Sequence, residues 1–113
     1  MDKLLEIQFQ VSSNAIQIND IAKTKVGVKI TNNGDEIQKV DISEAELFVN
    51  GIKNRAWDLC VQNGAIINLA VHPKKTETVQ WNLGKALFTA PGIYELELRW
   101  GILSQKQKIV VFD

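Results

Sequence analysis

Residues 94–100 read YELELRW, a run in which apolar and charged side chains alternate. A period of two is typical of a β-strand, because successive side chains of a strand point to opposite faces of its sheet. One face of this strand is therefore apolar and the other charged. The stretch predicts a strand that covers a core with one face and meets solvent with the other.

The same period recurs over most of the chain. Further runs with an apolar residue at every second position lie at 5–11, 16–18, 26–30, 40–42, 47–49, 57–61, 67–71 and 79–83, and the last strand, at 109–112, carries apolar side chains on both faces. Residues 84–88 are too few for an independent helix, and we expect a turn or a single 3₁₀ loop there that crosses between sheets. The sequence predicts an all-β chain, an antiparallel two-sheet sandwich of about seven to eight strands in one domain over residues 1–113.

Three Asn-Gly pairs separate these runs, at Asn33-Gly34, Asn50-Gly51 and Asn63-Gly64. Both residue types tolerate the positive φ that a tight turn between antiparallel strands requires. We therefore expect the chain to reverse direction at each pair.

Composition excludes several classes of protein. Of the 113 residues, 45% are hydrophobic, which suffices for one core, and 13 basic residues balance 13 acidic ones. A net charge of zero argues against a nucleic-acid partner, which would require clustered cations. No run approaches the roughly 20 apolar residues of a membrane span. The single cysteine, Cys60, cannot form an intramolecular disulfide, and with no signal-peptide pattern we expect a cytoplasmic location.

The residues that catalysis or metal binding would need are scarce. His72 and Cys60 are the only histidine and cysteine, too few for a zinc site or a histidine-based triad. Two carboxylate pairs, Glu44/Glu46 and Glu95/Glu97, lie opposite apolar faces, and we expect them to be exposed with unperturbed pKa values. The sequence predicts no enzyme, no metal and no cofactor.

Three tryptophans lie in the apolar register of their runs, and we expect core positions for them: Trp57, Trp81 and Trp100. Trp100 ends its strand beside Gly101, which makes it the best candidate for an exposed ring. An exposed aromatic ring would provide a platform for a sugar or a peptide.

Residues 50–100 resemble the later strands of bacterial immunoglobulin-like sandwiches. The resemblance depends on the strand 73–81, which ends in Trp81, and on Pro91-Gly92-Ile93-Tyr94 at the start of a late strand. More narrowly, residues 55–64 are similar to a strand and turn of the intracellular proteinase inhibitor family. The resemblance implies an immunoglobulin-like β-sandwich and suggests a protease as one partner.

These observations favour a non-catalytic protein-interaction module that binds a protein partner through loops or an edge strand. The loops to test are 31–36, 50–55 and 84–92, and the residues are Asn50, Gly51, Lys53, Asn54 and Trp100. The alternative is a carbohydrate- or small-ligand-binding module that uses Trp100 and Trp57.

A third hypothesis makes the last strand, 105–112, an edge that pairs with a neighbouring copy. Lys106 and Lys108 are residues that discourage pairing at an edge. We therefore expect a monomer or a weak dimer.

Overall fold

Strands account for most of the computed structural model, which describes residues 4–62 and 69–113. The strands are β1 Leu5–Val11, β2 Ala15–Gln17, β3 Lys25–Asn32, β4 Gln38–Val40, β5 Glu46–Val49, β6 Ile52–Lys53, β7 Leu69–Val71, β8 Thr76–Asn82, β9 Gly92–Trp100 and β10 Leu103–Phe112. Within these two ranges, two α-helices, α1 Arg55–Val61 and α2 Gly84–Leu87, and two 3₁₀ turns, Ile18–Lys23 and Ile42–Glu44, connect the strands. The prediction of a mainly β chain is confirmed.

The strands form two larger sheets and one small one. The first sheet has the order β1-β3-β8, the second has the order β2-β10-β9-β5-β6, and β4 pairs with β7. Within the described residues every pair is antiparallel except β2 and β10, which run parallel over residues 15–17 and 110–112.

The two larger sheets contribute to one apolar core. Alternate residues of β3 and β9 are buried, including Val28 and Ile30 on the first strand and Leu96 and Leu98 on the second. The charged residues of β9, which alternate with Leu96 and Leu98, lie on the opposite face of the sheet, as the period of two requires. The strand predicted at 94–100 is confirmed in its register, and it begins two residues earlier, at Gly92.

The strand predicted at 57–61 is wrong, because these residues form helix α1. Asn54 caps the helix, with its side-chain Oδ1 accepting the N–H of Trp57 at 2.9 Å. Trp57 and Val61 are four residues apart, on one helical face, and both are buried, whereas Leu59 is 71% exposed. An apolar residue at every second position fits a strand, but the fully buried residues of this segment lie four apart and Leu59 between them faces solvent.

The Asn50-Gly51 turn is confirmed. Both residues have positive φ, 51° and 82°, and they join β5 to β6 as a two-residue hairpin. Asn33-Gly34 does not form such a hairpin, because the strands on either side of it belong to different sheets. The Asn63-Gly64 pair lies outside the described residues.

Residues 84–88 cross from the first sheet to the second, as predicted, but through one turn of α-helix rather than a 3₁₀ loop. The helix presses closely on the turn at Ile18–Lys23. A Cβ atom on Gly84 would lie 1.8 Å from the carbonyl oxygen of Ile21, so only glycine fits at this contact.

The prediction of 105–112 as an edge is wrong for residues 110–112, which pair with β2, whereas residues 105–109 have β9 on one side and no paired strand among the described residues on the other. β10 lies inside the second sheet, with β9 along one side and β2 along its last residues on the other. The parallel pairing of residues 15–17 with 110–112 joins the two ends of the sequence, and no local pattern signals it. Among the described residues, no helix is long and apolar enough to cross a membrane.

Candidate interaction surfaces

The hairpin turn that holds Asn50 and Gly51 is fixed against β9. The backbone N–H of Asn50 donates to the carbonyl of Glu95 at 2.8 Å, and the Asn50 side-chain oxygen accepts the Glu95 N–H at 2.8 Å. The Asn50 amide oxygen therefore has a structural partner. Two hydrogen bonds therefore hold the turn against β9.

Lys53 and Asn54 are also engaged within the chain. The Lys53 ammonium lies 3.2 Å from a carboxylate oxygen of Glu46 and 3.6 Å from one of Asp58, and these two carboxylates raise the pKa of Lys53. The Asn54 side chain caps α1, and the backbone N–H of Asn54 donates to the carbonyl of Leu47 at 2.7 Å. Both residues stabilise the junction between β6 and α1.

The structure does not bring Trp100 together with these residues. Asn50 bonds to Glu95, five residues before Trp100 on the same strand, which is roughly 17 Å along the chain. Trp100 is half-buried against the core. The candidate residues therefore lie at two separate positions on the second sheet: four around the β5–β6 hairpin, and Trp100 at the end of β9.

The three loops likewise divide between the two ends of the fold. The loop at 50–55 begins beside Glu95, near the start of β9, and the connection at 84–92 leads directly into β9. The loop at 31–36 follows β3, whose last residues lie beside the first residues of β1. The first residues of β10 lie beside the last residues of β9, and Gln105 of β10 contacts Ile7 near the start of β1. The loop at 31–36 therefore lies at the end of the fold where β9 finishes.

The other tryptophans are covered more fully. Trp57 is 0% exposed, and its indole N–H donates to the carbonyl of Ala45 at 3.0 Å. Trp81 is half-buried and meets Trp57 edge to face, with ring centroids 5.3 Å apart. The core positions expected for these rings are confirmed for Trp57 and hold in part for Trp81 and Trp100.

The outer face of the second sheet carries a bonded carboxylate. Glu97 accepts hydrogen bonds from Arg99 at 3.0 Å and from the Ser104 hydroxyl at 2.6 Å, and the Arg99 guanidinium also lies 4.2 Å from the ring centre of Phe48. These bonds lower the pKa of Glu97 to about 2. The expectation of an exposed, unperturbed carboxylate is wrong at Glu97, which stays charged and cannot supply a proton near neutral pH.

Strand β8 forms an edge of the first sheet. The Asn32 N–H donates to the Lys75 carbonyl at 2.9 Å, which fixes the ladder: the odd-numbered residues of β8 exchange hydrogen bonds with β3. The N–H and C=O groups of the even-numbered residues point away from β3, and no strand among residues 4–62 and 69–113 pairs with them. We call this row the open edge; it consists of Thr76, Thr78, Gln80 and Asn82.

The opposite edge of the same sheet, β1, is covered by two glutamine side chains of β10. Gln105 accepts the Phe9 N–H at 2.7 Å and donates to the Ile7 carbonyl at 2.8 Å, while Gln107 donates to the Phe9 carbonyl at 2.8 Å. The two amides therefore replace part of a neighbouring strand. We call Gln105 and Gln107 the glutamine pair.

A cleft of about 190 Å³ lies between the β1–β2 connection and the turn at 18–23. Two of its hydroxyl groups have partners within the chain: the Ser12 hydroxyl accepts the Lys25 N–H, and the Thr24 hydroxyl donates to the Asp20 carbonyl.

The reactive side chains are not assembled into a site. His72 is exposed in a turn that the Lys75 N–H closes, and Cys60 lies half-buried on α1, where burial raises the pKa of its thiol. In the described part of the chain, no group of His, Cys, Asp and Glu is placed to hold a metal ion.

Comparison with known proteins gives a likeness of fold alone. No protein-family model and no curated protein matches the chain. A β-glucosidase from Listeria innocua in complex with glucose is 13% identical with a TM-score of 0.50, and the match covers 96% of this chain but 16% of that one. The same source's β-glucosidase in complex with gluconolactone is 12% identical over the same shares, with a TM-score of 0.46. The chain therefore spans only a small part of the structures that it resembles.

The open edge is the surface that sequence reasoning missed. Residues 76–82 read TETVQWN, a strand without lysine or proline, the residues that commonly protect edges. That composition was the available signal. Which strand lies at the edge depends on the order of all strands, and the local pattern does not contain it.

Proposed function

We propose that the chain is an immunoglobulin-like β-sandwich that acts as a non-catalytic protein-interaction module, and that it binds an extended protein segment along the open edge of β8. The proposed partner is a protein rather than a nucleic acid or a membrane. The proposed setting is the cytoplasm, where a lone thiol such as Cys60 stays reduced.

The division of the strands supports the immunoglobulin-like fold. The order β1-β3-β8 in one sheet and β10-β9-β5-β6 in the other matches the A-B-E and G-F-C-C′ division of such domains. Tyr94 adds a local marker. Its hydroxyl donates to the Ala90 carbonyl at 2.6 Å, as does the tyrosine near the start of strand F in such folds.

The open edge is the observation on which the function depends. Extended peptides add to such edges through main-chain hydrogen bonds, while pockets for alternate side chains provide specificity. Four residues of β8 offer both an N–H and a C=O in one row. The strand is seven residues long, longer than the usual five or six, so it can hold a segment of useful length.

Two observations argue against the other functions considered. Trp57 is fully buried, which removes one of the two rings that a carbohydrate-binding face would use. Glu97 is bonded as a carboxylate to Arg99 and Ser104, which leaves no acid–base pair with Glu95. We therefore propose a single function.

A proline at position 78 tests the open edge. The Thr78 N–H points away from β3, so Thr78→Pro removes a donor from the open edge without removing a bond of the ladder. A displayed library of random peptides should enrich extended, β-favouring sequences on the wild-type chain and on Thr78→Ala, and not on Thr78→Pro. Equal enrichment on all three proteins would contradict the proposal.

A protease is the partner that the family resemblance suggests. Adding the pure chain to a panel of serine proteases at micromolar concentration tests this version separately. If the chain is an inhibitor, the wild type should slow the cleavage of a reporter substrate by one protease, and Thr78→Pro should leave that cleavage at its normal rate. Unchanged rates throughout would remove the protease and leave the binding of other protein segments to be decided by the peptide selection.

A further inference from the structure

We infer that the segment received by the open edge is β8 of a second copy of this chain, paired antiparallel about a two-fold axis that passes through Val79. The inference rests on the proposed function and names its partner. The result would be a dimer with one continuous sheet of six strands, in the order β1-β3-β8 followed by the same three strands reversed.

The hydrogen-bonding pattern of β8 suits this axis. A two-fold axis at Val79 places Thr78 opposite Gln80 of the second copy, and Thr76 opposite Asn82 of the second copy. Every residue of the open edge then faces another residue of the open edge, because all four are even-numbered. The pairing would form about eight backbone hydrogen bonds, two for each directly opposed pair.

The side chains of β8 suit it as well. On the inner face, Val79 would lie against Val79 of the second copy, and Trp81 against Glu77 of the second copy. Val79 and Trp81 are half-buried at the margin of the core, so pairing would cover them further. Glu77 is the one charge on the strand, and its opposite position holds an indole rather than another acid.

The properties of the whole chain favour a second copy. The net charge is zero, so two copies do not repel each other over long range. The outward residues of β8 are polar, two of them are β-favouring threonines, and none is the lysine or proline that commonly protects an edge. Because the edge is complementary to itself, any two copies of the chain could pair.

The glutamine pair explains why such pairing would stop at two copies. A sheet with two open edges would continue to add copies and form a filament. Here Gln105 and Gln107 occupy backbone groups of Ile7 and Phe9 at the β1 edge. Three outward backbone groups of β1 are thus engaged, whereas no strand among the described residues pairs with the even-numbered row of β8, and a two-fold axis would pair that row in both copies.

A cysteine at the axis gives the sharpest test of the register. Directly opposed residues outside the hydrogen-bonded pairs have Cα atoms about 4.5 Å apart, a distance that a disulfide spans. In a Cys60→Ser background, Val79→Cys should therefore form a covalent dimer under mild oxidation at least about tenfold faster than the control Glu77→Cys. In that control, each cysteine would lie opposite residue 81 of the second copy, four residues away from the other cysteine along the strand. Equal rates for the two cysteines would overturn the inference.

Sedimentation over a concentration series completes the experiment. We expect a concentration-dependent dimer for the wild type and for Thr78→Ala, and a monomer for Thr78→Pro. A monomeric wild type would overturn the inference. If that monomer still enriches peptides through Thr78, the proposed function stands without self-pairing; if its even-numbered β8 amides are protected from exchange, the open edge itself is wrong and both proposals fail.

Discussion

The side chain of Gln105 and the backbone of Phe9 are 96 residues apart in sequence and joined by a hydrogen bond of 2.7 Å between the Gln105 Oε1 and the Phe9 N–H. The same amide donates to Ile7 at 2.8 Å. One side chain therefore satisfies a donor and an acceptor that an edge strand would otherwise leave to water. This contact ties the edge of the first sheet to the second sheet.

Replacing Gln105 should cost stability. Gln105→Leu keeps most of the side-chain volume but leaves the Phe9 N–H and the Ile7 carbonyl without their partner, at a cost of about 2 kcal/mol. Urea unfolding measures it. The control is Gln8→Leu, on an exposed position of β1, which should change the free energy of unfolding by less than about 0.5 kcal/mol. Similar losses in both variants would show that the Gln105 bonds contribute nothing.

Asn32 provides a second test of polar groups inside the fold. It is 0% exposed, and its amide nitrogen donates to the carbonyls of Glu36 at 2.7 Å and Val71 at 2.9 Å. Asn32→Asp would replace that donor by a buried carboxylate, with an expected loss of at least about 2 kcal/mol at neutral pH. Because protonation removes the charge, the deficit relative to wild type should shrink as the pH falls.

The control for this prediction is Asn14→Asp, at an exposed position. It should unfold at nearly the same urea concentration as the wild type at every pH. A deficit for Asn32→Asp that grows in acid would contradict the burial of an unpaired charge at this position.

Glu97 should contribute to the acid sensitivity of the fold. Its pKa is lowered from 4.5 to about 2, so its bonds to Arg99 and Ser104 stabilise the folded state above pH 4.5 and are lost as the pH falls towards 2. Glu97→Gln should therefore lose less stability than the wild type between those pH values. Unfolding curves over a pH series measure the slope.

Glu95→Gln is the matched control, since Glu95 lies on the same face but makes only a 3.9 Å ion pair with Lys106. It should keep the wild-type slope. If Glu97→Gln and the wild type lose stability in parallel across this pH range, the Glu97 bonds do not stabilise the fold.

Tyr94 combines a ring contact with a hydroxyl contact, which can be separated. Its ring meets Phe88 edge to face at 5.0 Å, and its hydroxyl donates to Ala90 at 2.6 Å. Tyr94→Phe should lose about 1 kcal/mol for the hydrogen bond, and Tyr94→Leu about 1 kcal/mol more for the ring pair. Thermal unfolding of both variants would reveal whether the hydroxyl contributes; no difference between Tyr94→Phe and wild type would mean that it does not.

The sequence predicts local features well because they depend on neighbouring residues. The alternation at 94–100, the Asn50-Gly51 hairpin and the crossing at 84–88 all follow from backbone preferences and the period of side chains. At helix α1 the sequence pattern predicts a strand, because Trp57, Leu59 and Val61 fit the period of a strand equally well. The capping Asn54 and the Trp57–Val61 spacing were the signals that favoured a helix.

Features that depend on strand order could not be read from the sequence. Placing β10 inside its sheet requires the parallel pairing of Val110 with Ala15, and leaving β8 at an edge requires the absence of a further neighbour. The bonded state of Glu97 depends on Ser104, which the β9–β10 hairpin brings close. Each of these is a consequence of contacts between distant segments.

Residue-resolved amide exchange on the dilute chain tests the open edge most directly. We expect the amides of Glu77, Val79 and Trp81, which face β3, to exchange slowly. Those of the open edge should exchange rapidly in dilute solution and become protected as the concentration rises. Protection of both sets at every dilution would contradict this expectation, because another part of the same chain would then occupy the edge.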